Sequence, residues 1–289
     1  MDPFPPTCDP AAYVPRAATE ALLSALDDAF AAARPLVTVS GPAGLGKTML
    51  LRVAETRWSG AARCLHLPYA SLSTADLACW VLGLLGEAPT DAAAAEARLL
   101  ALAGEGDPLV LLLDDASALP PATARDVAGW VHALGGALRV VLALVDDERS
   151  GRVLATLGEA TALRLAEPMS ETETRSYVAA RLDPVWPVGR DLFTPELVGW
   201  LHRASGGIPR LLHMLATWKQ YSDAPLPGTD WAPGGESWLE TGDTADFEAP
   251  EPHREAVRTA GPVRGAPPRR PATDPGAGFQ RRRRRRQRR

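Results

Sequence analysis

Gly41-Pro42-Ala43-Gly44-Leu45-Gly46-Lys47-Thr48 constrains this chain more than any other segment. The order G-x-x-x-x-G-K-[ST] turns the backbone so tightly that successive N–H groups and the start of the next helix face one point, where an anion is held. The device works only between a strand and a helix. Both flanks comply: 36–39 is a short apolar strand, and the segment from Lys47 to about Trp58 has helical spacing through Leu50, Leu51 and Ala54. Of 31 basic residues only Lys47 and Lys219 are lysines, so lysine at this position in an arginine-biased chain marks a chemical demand.

The surrounding pattern alternates. A helix over 17–33 carries Leu22, Leu23, Leu26 and Phe30 on one face, and 64–67 is a second strand. Ser73 caps a helix with Leu77, Trp80, Val81 and Leu84, and another helix spans 91–103. The run 109–113, Leu-Val-Leu-Leu-Leu, has no polar interruption, as in a parallel strand covered on both faces. A helix over 121–134 leads to a strand over 138–144, and 161–166 is the fifth. Strands alternating with helices predict an α/β, doubly wound parallel sheet sandwiched by helices. After Pro168 only helices follow: Ser170 and Glu173 form a capping box, Thr194 starts a second helix, and Pro209 stands at the first turn of a third. The expected organisation is a nucleotide-binding domain over 1–168, a small all-helical lid over 169–221, and a disordered acidic linker with an arginine-rich tail over 222–289.

Chemistry follows from this placement. Backbone groups of Gly41 to Thr48 would cradle phosphates, with Lys47 neutralising the β- and γ-phosphates and the Thr48 hydroxyl binding Mg²⁺. Asp114, at the end of the apolar strand 109–113 and expected beside the first strand, is the candidate metal carboxylate. Asp115 is placed to orient or activate the attacking water. Asp146 and Asp147 end the next strand, as a γ-phosphate sensor or as turn acids. Arg210 opens the last lid helix and could swing onto the γ-phosphate when the lid closes.

These residues together resemble the AAA+ ATPases of the general secretion pathway protein A (ExeA-like) family, over roughly residues 1–221. The resemblance runs through Pro3-Phe4, Asp9-Pro10 and Tyr13, the phosphate loop, and Leu112-Leu113-Asp114-Asp115-Ala116. It continues through 168–174 with Tyr177 and Arg181-Leu182, then Leu192-Phe193-Thr194, and ends in Ser205-Gly206-Gly207-Ile208-Pro209-Arg210. It implies a P-loop NTPase fold, an ATP-hydrolysing motor or switch using ATP and Mg²⁺, and Arg210 as the lid arginine. It also implies a homo-oligomer with an arginine reaching the neighbour's γ-phosphate and a protein partner of unknown identity; transposition ATPases are close relatives. Two departures matter. The family usually carries Asp-Glu where this chain has Asp114-Asp115, so weaker water activation is expected. The usual arginine before the last strand falls near Glu159, leaving Arg149, Arg152 or Arg164 as substitutes. The membrane helix and cell-wall-binding region of secretion members has no counterpart.

Charge is distributed unevenly. Residues 1–221 carry 18 basic and 25 acidic side chains, 222–250 seven acids and no base, and 251–289 thirteen arginines and three acids, giving −7, −7 and +10. The block from Arg281 to Arg289 repels itself and attracts polyanions, so nucleic acid or an anionic membrane surface is the expected tail partner. No stretch is long and apolar enough for a transmembrane segment. Cys8, Cys64 and Cys79 form no CxxC pair and read as reduced, partly buried thiols of a cytoplasmic protein. The five histidines show no metal spacing and read as packing or surface residues.

Overall fold

A computed structural model describes residues 3–5, 7–87, 91–182 and 192–221, all within one compact unit, Met1–Thr241. The expectations for 222–289 lie outside the described residues.

Strands β1 (Leu36–Gly41), β2 (Arg63–Leu67), β3 (Leu109–Leu113), β4 (Leu138–Val145) and β5 (Thr161–Arg164) form a wholly parallel sheet in the order β2-β3-β4-β1-β5. The class is the expected one, but one adjacency is not. The sequence reading puts the strand ending in Asp114 beside β1; in the structure β4 intervenes, with Val140 level with Leu36 on one side and Leu111 on the other. The crossover through the helix 121–134 returns the chain to the immediate neighbour of β3, the common course for consecutive parallel strands.

Alternation along the strands divides the core in two. Val110, Leu112, Val141 and Ala143 pack under α1 (Ala17–Ala31) and α2 (Lys47–Trp58). Leu109, Leu111, Leu113, Val140 and Leu142 pack under α3 (Thr74–Leu84), α4 (Ala92–Ala103), α5 (Pro121–Leu134) and α6 (Glu148–Leu157). The sequence reading has no element at α6. It is only ten residues long and mostly polar, with Ser150, Val153 and Leu157 as its buried positions, and the side chain of Asp147 caps it by accepting the Ser150 N–H at 2.7 Å.

A third core lies among α7 (Glu171–Leu182), α8 (Pro195–Ser205) and α9 (Pro209–Gln220). The capping box exists as drawn: Ser170 N–H donates to Glu173 Oε2 at 2.9 Å and Glu173 N–H to Ser170 Oγ at 3.2 Å. An N-terminal strap joins this bundle to the sheet layers. Phe4, 1% exposed, and Val14 pack in the bundle core, while Tyr13 packs against the core under α1 and α2. The Thr217 hydroxyl donates to the Phe4 carbonyl at 3.5 Å. Among the described residues no helix is long and apolar enough to cross a membrane.

Candidate functional site

Gly41 ends β1, and Pro42, Ala43, Gly44 and Leu45 lead to Gly46, which caps α2 with φ 107° and offers no side-chain oxygen to the first-turn N–H groups. Those donors are therefore open to an incoming anion. Gly44 adopts φ +81°, and a Cβ there would lie 2.9 Å from Ile208 Cγ2 and 3.0 Å from Arg210 Cβ. Glycine lets the start of α9 sit against the loop, where Arg210 N–H donates to the Gly44 carbonyl at 3.2 Å. The Arg210 side chain is exposed, with no hydrogen bond or ion pair among the described residues.

Lys47 is buried, and its Nζ donates to the carbonyls of Gly41 at 2.7 Å and Pro42 at 2.9 Å. Burial is the largest influence on this ammonium and lowers its pKa, while the carboxylates of Asp114, Asp146 and Asp115 oppose the change. A buried cation whose hydrogen bonds, among the described residues, go to two neutral carbonyls suits exchange onto phosphate oxygens. Thr48, half-buried in the first turn of α2, and the buried Asp114 are the hard-oxygen donors that a divalent cation accompanying phosphate would take.

Asp115 is exposed and non-glycine, yet holds φ 47° and ψ 39°. A left-handed residue of this kind stores strain of about 1–3 kcal/mol and clusters at functional sites. Its carboxyl is pushed above the usual range, first by desolvation and then by Asp114 and Asp147, against Lys47 and Arg149. Asp146 pairs with Arg164 at 2.8 Å and Asp147 caps α6, so both side chains are engaged within this chain. Arg149 and Arg152 are both exposed and, unlike Arg164, form no ion pair among the described residues.

Three features escaped the sequence reading. His66, taken there as a packing residue, sits with Nε2 at 3.7 Å from Asp114 Oδ2. Ser117, just past Asp115, accepts the Val145 N–H at 2.9 Å and the Ser150 hydroxyl at 2.8 Å, tying the turn after β3 to the end of β4 and to α6. Arg16 is 7% exposed, and neither of its Nη atoms has a hydrogen-bond partner among the described residues. Of these only His66 carried a signal, its place near the end of a strand. Cys8, expected to be partly buried, is exposed; Cys64 and Cys79 are half-buried, and all three are free.

No family model and no curated protein matches the chain. Among solved structures, domain III of the replication initiation protein DnaA from Thermotoga maritima matches with a TM-score of 0.51 at 14% identity, over 77% of this chain and 93% of that one. The RuvB Holliday junction branch migration motor of the same organism matches with a TM-score of 0.48 at 15% identity, over 75% of this chain. The chain spans 65% of the length of that RuvB structure. The parallel sheet, its flanking helices and the DnaA likeness give the fold as that of an AAA+ P-loop NTPase. The likeness does not reach the narrower secretion-pathway family.

Proposed function

We propose that this chain is an ATP-binding and ATP-hydrolysing AAA+ ATPase that uses turnover to assemble or remodel a macromolecular complex. One observation carries the reading: the Lys47 ammonium, held by carbonyls of the phosphate-type loop, feels the charges of Asp114 and Asp115, and the first turn of α9 bonds the same loop at Gly44. Residues 1–168 would bind the nucleotide and 169–221 would act as its lid. Gly41 to Thr48 would hold the phosphates, with Lys47 moving from its loop carbonyls onto phosphate oxygens. Thr48 and Asp114 would hold Mg²⁺, which when bound supplies charge neutralisation at the phosphates. Asp115 orients the attacking water and accepts its proton, and Arg210 reaches the terminal phosphate from the lid. A homo-oligomer in which Arg149 or Arg152 serves the neighbouring site fits both exposed arginines. Three free thiols support a reducing, cytoplasmic setting.

The test is Mg²⁺-dependent ATP hydrolysis by the full chain and by Lys47→Ala. Loss of one charge-assisted interaction of about 1.5–3 kcal/mol predicts a fall of at least ~10-fold. Equal rates would overturn the catalytic assignment.

A second reading, a DNA-associated ATP switch resembling transposition ATPases, is favoured by eight arginines in the last nine residues. Removing 269–289 should then weaken DNA binding and flatten its salt dependence. Unchanged binding rejects it, and binding to anionic vesicles instead of DNA assigns the tail to a membrane surface. Secretion, the process of the family that the sequence resembles, and a scaffold with little hydrolysis are separated by turnover: Asp115→Glu should raise the rate of a slow enzyme.

A further inference from the structure

One buried polar group borders this site with no role yet given to it. β2 and β3 pair in parallel with His66 level with Leu112 and Leu67 level with Leu113. Side chains alternate along a strand, so His66, Leu112 and Asp114 all rise from the face that α2 covers. The Asp114 N–H donates to the Leu67 carbonyl at 2.9 Å, which continues the β2–β3 ladder and holds the Asp114 backbone against β2.

The carboxylate has two different oxygens. Oδ1 accepts the Asp115 N–H at 3.0 Å. Oδ2 lies 3.7 Å from His66 Nε2, with the two side chains only 9% and 11% exposed. Among the described residues Nε2 has no hydrogen-bond partner, and the atom is buried. A buried ring nitrogen left unpaired costs about 1–3 kcal/mol, and a movement of about half an ångström would satisfy it on Oδ2.

We propose that His66 is a positioning residue for Asp114. Its Nε2–H donates to Oδ2 and fixes the rotation of the carboxylate, so that the remaining lone pairs are presented to the metal–nucleotide. His66 itself touches neither. Outer partners of this kind are typically worth 10–100-fold in metal affinity. The inference rests on the nucleotide-site reading above.

The experiment follows equilibrium binding of a fluorescent ATP analogue to the full chain, across a Mg²⁺ titration and in EDTA. The proteins are the wild type, Lys47→Ala, His66→Leu, His66→Gln and His66→Asn. Glutamine carries an amide nitrogen where Nε2 stands; asparagine is one atom short of it. His66→Leu should raise the Mg²⁺ midpoint by about 10-fold or more and leave the affinity in EDTA unchanged. His66→Gln should bring the midpoint back towards wild type, and His66→Asn should not. If His66→Leu fails to fold, the Gln and Asn pair decides alone, and equal midpoints for those two overturn the inference. A wild-type midpoint in His66→Leu also overturns it, since a packing role would then suffice. Wild-type protein without Lys47-dependent binding would instead overturn the nucleotide-site reading, and the inference with it.

Discussion

Arg16 is a buried cation whose removal should strengthen the protein. Its guanidinium lies at the seam between the strap and α7, 7% exposed, with Nη1 and Nη2 lacking a hydrogen-bond partner among the described residues. Burial lowers its pKa, and the surrounding Glu173, Tyr13 and Tyr177 offset this only in part. The residue's structural duty is done by its backbone: Arg16 N–H donates to Thr19 Oγ1 at 3.2 Å, and its carbonyl accepts the Glu20 N–H at 2.9 Å. Arg16→Met keeps both bonds and most of the aliphatic stem while deleting the unpaired charge. Replacing buried ionic groups by apolar ones of similar volume gains about 1–3 kcal/mol when partners are poor. At roughly 2–4 °C per kcal/mol for a domain of this size, the midpoint should rise by roughly 2–12 °C. Thermal and urea unfolding of the nucleotide-free full chain at neutral pH measure it. A fall in both midpoints would refute the premise, because it would mean that the buried guanidinium is satisfied in solution.

Two further outcomes follow from the loop and its carboxylates. Gly44→Ala forces a side chain into φ +81° and against Ile208 and Arg210, so it should lose about 1–2 kcal/mol of stability and weaken nucleotide binding; an unchanged melt and affinity would contradict the close approach of α9. Asp115 holds its proton more tightly in the folded chain than in the unfolded one. Its charge therefore disfavours folding above both pKa values, and that penalty fades as pH falls through the raised folded value to the ordinary one near ~3.9. Asp115→Asn should accordingly raise the urea midpoint at neutral pH, with the gain vanishing near pH ~4, while its ATP turnover falls.

Local signals in the sequence carried the elements well. The unbroken 109–113 run, the Ser170–Glu173 box and Pro209 each act within a few residues of themselves, and the structure has β3, the α7 cap and the start of α9 where they stand. Strand order is different in kind. Nothing near Asp114 says that β4 separates its strand from β1, because adjacency depends on where a crossover helix returns. The same limit hid His66. Its distance from Asp114 is a product of the β2–β3 register, and 47 residues of intervening chain leave no trace of that register in either segment. α6 escaped for another reason: it is ten residues long and mostly polar, so its buried face rests on Ser150, Val153 and Leu157 alone. The left-handed backbone of Asp115 could not be read from an aspartate, a residue that takes many conformations.

The burial of Phe4 in the core of α7, α8 and α9 has a consequence for the order of events in the cell. Phe4 and the Thr217 hydroxyl that bonds its carbonyl stand 213 positions apart. On a ribosome adding 5–20 residues per second, that ring waits roughly 10–40 s before the last wall of its cavity exists. Through that interval an apolar strap is unsheltered, a natural target for chaperones. The same geometry means that a fragment cut at residue 169 would begin life with a hole in its centre. The two ends of this fold are finished together or not at all.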